Sequence, residues 1–73
     1  MNTKLYSVIY NRFNDGDKYT NKDLKRILQD IYDENYFRST AKASDIRYFG
    51  FDFRRCKIKV DDKWINGLHL IKL

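Results

Sequence analysis

The chain has 73 residues, a formal net charge of +5 at pH 7, one cysteine, one histidine and three glycines. That length makes one domain over residues 1–73, with a core supplying only about 3–5 kcal/mol of net stability, and the composition excludes an internal disulfide, a cysteine and histidine zinc cluster and a glycine-rich phosphate loop. No apolar run approaches the roughly 20 residues of a membrane span and no signal-like segment is present, so a soluble protein of a reducing, cytoplasmic compartment is expected.

Charge is unevenly distributed. Residues 1–37 hold six Lys or Arg against six Asp or Glu, whereas residues 38–73 hold nine against four. The second half therefore carries all the net charge, a pattern suited to a polyanion, with a plainly solvated face as the alternative.

Thr3 can cap a first helix running to about Phe13, with Leu5, Val8, Ile9 and Phe13 on its apolar face. Asn14, Asp15 and Gly16 stop it. Thr20 then provides an N-cap, Asp23 stands at the capping-box position, and Tyr19 can staple onto Leu24. Leu24, Ile27, Leu28 and Ile31 follow at i, i+3, i+4 and i+7, the spacing of an amphipathic helix. Asp33, Glu34 and Asn35 end that helix, and Tyr36 and Phe37 are expected to fold back onto the core.

A third, shorter helix fits Ala41 to Phe49, capped by Ser39 or Thr40, with Ala43, Ile46 and Phe49 inward and Gly50 closing it. Its outward positions are Ala41, Ser44, Asp45 and Tyr48, with Lys42 and Arg47 at the edges. Phe51, Asp52 and Phe53 lead on by alternation, their rings read as core fillers. From Arg55 to Val60 the alternation is strict, placing Cys56, Ile58 and Val60 on one side and Arg55, Lys57 and Lys59 on the other. The expectation is that the first set turns inward, with Cys56 as a small buried hydrophobe, and the second outward. A polar loop from Asp61 to Gly67 would join this strand to a second, Leu68 to Leu73.

The fold class expected is therefore α+β, three short helices followed by a two-stranded antiparallel hairpin. That order resembles the winged-helix (winged helix-turn-helix) family of DNA-binding domains over nearly the whole chain. It is carried by the Lys18 to Thr20 segment between the first two helices, the Thr20 to Asp23 cap, the small third helix and the basic strand Arg55 to Lys59. The stretch "TAKASDIRYF" leading into "KIKVDDKWINGLHLIKL" also looks like winged-helix segments of phage and mobile-element replication proteins.

The resemblance implies a third helix in the major groove and a wing on the backbone or minor groove. Contacts would come from Lys42, Ser44, Arg47 and Tyr48 on the helix, and from Arg54, Arg55, Lys57, Lys59, Lys63 and Trp64 on or beside the wing. The cationic stripe spans about 13 Å at roughly 3.3 Å per residue, enough to follow successive phosphates. Asp45 and the scarcity of long polar side chains on the third helix argue against strong base reading. Tyr48 and Trp64 open a single-stranded alternative through base stacking, and Trp64 could equally cover the open end of a small core.

Catalysis is not expected. His69 lies in an apolar strand, Cys56 has no metal partner, and Asp61 and Asp62 fit a turn better than a metal site. No cofactor is implied. The function expected is a small non-enzymatic DNA-binding protein, for single- or double-stranded DNA, serving replication or transcription control of a phage or mobile element. The competing class is an interaction module docking on a polymerase, primase or helicase without touching DNA. Either assembly, or a homodimer, would add stability by mass action.

Overall fold

The computed structural model describes residues 3–73 as α1 (Thr3–Arg12), β1 (Lys18–Thr20), α2 (Asn21–Glu34), a 3-10 helix (Ala43–Phe49), β2 (Phe51–Val60) and β3 (Lys63–Lys72). The α+β class is as expected, but the sheet has three antiparallel strands in the order β1-β3-β2. The short segment before α2 is its third strand, pairing Lys18 with His69 and Thr20 with Gly67. Among the described residues nothing pairs with the outer edge of β2, and no helix is long and apolar enough to cross a membrane.

α1 buries Leu5 and Ile9, and Phe13 follows them into the core, but Val8 is exposed. Tyr6 and Tyr10 take the place expected of Val8, stacked on each other with centroids 5.9 Å apart and packed against the core. The cap position before Thr3 lies outside the described residues, Thr3 itself being helical. At the start of α2 the Asp23 N–H donates to Thr20 Oγ1 at 3.1 Å, and Leu24, Leu28 and Ile31 are buried. Ile27 is only half-buried, however, and the Asp23 carboxylate, expected to complete a capping box, lies 4.0 Å from Arg26 instead.

The end of α2 is a Schellman motif. The Phe37 N–H donates to the Tyr32 carbonyl at 2.8 Å and the Tyr36 N–H to that of Asp33 at 3.2 Å. The Phe37 ring meets Tyr32 edge-on at 4.9 Å, the apolar contact that accompanies this motif. Tyr36, expected on the core, is instead 92% exposed with a φ of 57°, because the left-handed residue of the motif points its side chain away from the helix end.

The third helix starts two residues later than expected and is 3-10 in form. A period near three stacks Ala43, Ile46 and Phe49 in one inward row, and Ser44 with Arg47, and Asp45 with Tyr48, in two outward rows. Neither Ser39 nor Thr40 caps it; the Lys42 N–H donates to the Asp45 carboxylate at 3.0 Å. Ala41, expected outward, is fully buried, and its N–H donates to the Gln29 side chain at 2.8 Å.

The hairpin departs most from expectation. β2 and β3 are each ten residues long and are joined by Asp61 and Asp62 alone, so Trp64, Ile65, Asn66 and Gly67 belong to a strand rather than a loop. Both turn residues have positive φ, 49° and 64°, as a type I′ turn requires, and Asp tolerates that region better than most residues. Gly67 is paired within the sheet. A Cβ there would lie 2.7 Å from the Tyr19 carbonyl and 2.5 Å from Ile58 Cδ1, so close packing rather than chain reversal calls for glycine.

The register also reverses the expected faces. Phe51, Phe53, Arg55, Lys57 and Lys59 share one side of β2, and their partners on β3 are Lys72, Leu70, Leu68, Asn66 and Trp64. Phe51, Leu68 and Leu70 are core residues, so this is the side that faces the helices. Beyond Arg55 the helical layer no longer covers it, and the same side carries exposed Lys57, Lys59, Trp64 and Asn66. Cys56, Ile58 and Val60 occupy the opposite, open side with Ile65. Cys56 and Ile58 are only half-buried, and Val60 is exposed, contrary to the inward placement expected of them.

Candidate nucleic-acid interface

Arg55, Lys57 and Lys59 leave one side of an unbroken strand about 7 Å apart, since alternate residues are separated by two rises of about 3.3–3.4 Å. All three are exposed. The Lys57 ammonium donates to Asn66 Oδ1 directly across the ladder, and Lys59 lies 4.0 Å from Asp62. The Asp62 side chain is almost wholly solvated, so that pair is worth no more than about 1 kcal/mol and leaves Lys59 available to a stronger anion.

Trp64 stands opposite Lys59 on the same side and is 66% exposed. The alternative of a tryptophan closing the core is thereby set aside, since the core sits at the other end of the hairpin. Toward the helices, Asn21, Ser44, Phe53, Arg55, Asn66 and Leu68 line a groove of about 280 Å³ between the start of α2, the 3-10 helix and the hairpin. Hydroxyl, amide and guanidinium groups there continue the polar surface of the strand.

The ten residues singled out from the sequence do not form one patch. Ser44, Arg55, Lys57, Lys59 and Trp64 lie on the groove and the face that continues from it. Arg47 borders them but is engaged: its guanidinium sits 4.3 Å from the centre of the Phe53 ring and 3.7 Å from Asp52. Arg54 and Lys63 belong to the opposite side of the hairpin by register. Lys42 is exposed beside the start of the 3-10 helix. Tyr48 lines a separate, mainly apolar groove with Leu5, Tyr32, Phe37 and Phe49. Asn21 and Asn66 were not anticipated; the register of a two-residue Asp-Asp turn would have set Asn66 opposite Lys57.

Asp45, which counted against base reading, has internal work. One of its oxygens accepts from the Lys42 N–H and from the Tyr32 hydroxyl, the latter at 2.9 Å. Burial, reinforced by that bond and by the carboxylate charge, pushes the Tyr32 phenol far above its usual range. Among the described residues no group of three or more His, Cys, Asp or Glu could hold a metal ion. The chain matches no protein-family profile, no curated protein and no solved structure.

Proposed function

We propose that this chain is a small, non-enzymatic DNA-binding protein that reads backbone charge more than sequence. The observation that carries the reading is the alignment of Arg55, Lys57 and Lys59 on one exposed side of a continuous strand, next to a polar groove at the 3-10 helix. A protein interface would deplete lysine at its centre, whereas phosphate contacts use it freely. The pairing of Lys18–Thr20 with β3, and the hairpin that follows the small helix, are compatible with the winged-helix resemblance. On that resemblance we extend the proposal to replication or transcription control of a phage or mobile element.

A second reading has its own support. The apolar groove lined by Leu5, Tyr32, Phe37, Tyr48 and Phe49, with Tyr48 70% exposed, favours a docking role on a replication or transcription protein. Anisotropy titration of labelled single-stranded and duplex DNA at several salt concentrations separates the two. The DNA-binding reading expects affinity falling with salt, log K against log salt having a slope of about −0.7 to −0.9 per phosphate neutralised. Absence of binding to either form at low salt overturns it.

A further inference from the structure

Resting on the reading of this face as a DNA surface, we propose that it takes single-stranded DNA in preference to duplex, with Trp64 as the platform on which a base stacks. Trp64 stands beside the cationic row on the neighbouring strand: it is opposite Lys59, diagonal to Lys57, and on the same side as both. Among the described residues its indole enters no ring or cation contact and makes no hydrogen bond. A single exposed tryptophan needs no explanation by itself. Its position across from the end of a row of three cations, on their side of the sheet, is what points to a ligand that pairs negative charge with a flat apolar surface.

Single-stranded DNA is that ligand. Its bases offer their π-faces and its backbone can spread to follow cations about 7 Å apart. An intact duplex turns only base edges toward its grooves, leaving an indole on this face nothing to stack on. The hairpin tip argues the same way. To seat in a duplex groove the tip would pass between two phosphate chains, and it carries Asp61 and Asp62, the latter side chain 99% exposed. A single strand lying along the side of the hairpin meets Lys57, Lys59 and Trp64 without crossing that acidic end. The adjoining groove of about 280 Å³, lined in part by Asn21, Ser44 and Asn66, offers hydrogen-bonding groups to the edge of the next base.

Trp64 is the only tryptophan in the sequence, so intrinsic fluorescence reports on this position alone. The test titrates the protein with an oligothymidylate and with a duplex of equal length at low salt, following tryptophan emission and the anisotropy of labelled DNA. The expected result is quenching by the single strand, an affinity at least tenfold above that for duplex, and a loss of about five- to 150-fold in single-strand affinity for Trp64→Ala. Trp64→Phe should retain most of the affinity, with circular dichroism showing both variants folded. If DNA binds with unchanged emission, or if duplex binds as tightly and Trp64→Ala is neutral, the stacking proposal fails while the DNA-binding reading stands. If neither form binds, both fail together.

Discussion

The Tyr32 hydroxyl donates to Asp45 across thirteen residues of sequence, tying the last turn of α2 to the 3-10 helix through a carboxylate that also holds the Lys42 N–H. Tyr32→Phe should therefore cost about 0.5–1.5 kcal/mol at neutral pH, the usual net worth of such a bond. The pH dependence has a definite sign. The phenol is held neutral in the fold with its pKa raised above the ordinary 10.0, so above about pH 10 the unfolded chain gives up a proton that the native state keeps. Stability from this group is complete below that pH and declines as pH rises further. Urea unfolding at pH 8 and pH 11 should show a smaller alkaline loss in Tyr32→Phe than in the natural protein; equal losses would contradict the assignment.

Tyr36 closes α2 in a left-handed conformation that costs a residue with a Cβ about 1–2 kcal/mol. Its side chain is nearly fully exposed, so little packing is lost by removing it. Tyr36→Gly should raise stability by about 0.5–1 kcal/mol, the relief being partly offset by the entropy of glycine in the unfolded chain. Chemical denaturation with an unchanged slope would verify this, and a loss of stability would show that the tyrosine is held by contacts of its own.

Gly50 joins the 3-10 helix to β2 with a φ of 86°, and a Cβ there would stand 2.5 Å from the Tyr6 hydroxyl and 2.7 Å from the Tyr10 ring. Gly50→Ala combines backbone strain with overpacking of a tyrosine pair. About 2–4 kcal/mol should be lost, most of what a core of this size supplies. Thermal melts should show the variant largely unfolded near 37 °C.

Lys57→Glu with Lys59→Glu reverses two charges on an uncovered part of the hairpin. DNA affinity should fall below detection at physiological salt, with the far-ultraviolet circular dichroism unchanged because neither side chain packs against the core. Arg54→Glu, on the other side of the same strand, should weaken binding far less. Comparable losses from both would mean that the contact surface is not confined to the face bearing Trp64.

Local signals in the sequence were sufficient at the start of α2, where a side-chain bond between near neighbours settles the structure, but not at its end or at the 3-10 helix, where the bonds to Asp33 and Asp45 are as local. Thr20, Leu24, Leu28 and Ile31 specify α2 within a few residues of one another and behave as their spacing requires, whereas Asp23 gives the cap its backbone N–H alone. The hairpin depended on longer-range facts. Gly67 looked like a turn residue but marks where Ile58 and the Tyr19 carbonyl close in, while the true turn is built from two aspartates with no glycine. Alternation from Arg55 to Val60 correctly separated two sides, yet it cannot say which one meets the helices. Phe51 and Phe53 held that information by sharing the parity of Arg55. At the root of the strand that side is apolar, and past the end of the helical layer it turns cationic.

The outermost strand, ten residues long and hydrogen-bonded on one flank alone among the described residues, has a bearing on how the protein behaves in bulk. Bare flanks of this length invite copies to zip together into fibrous aggregates, and a comb of like charges is a common deterrent. Arg54, Arg55, Lys57 and Lys59 would then keep concentrated solutions monodisperse as well as meeting a ligand. Neutralising them all should turn a clear sample turbid, so any affinity measured on such a variant needs light scattering beside it.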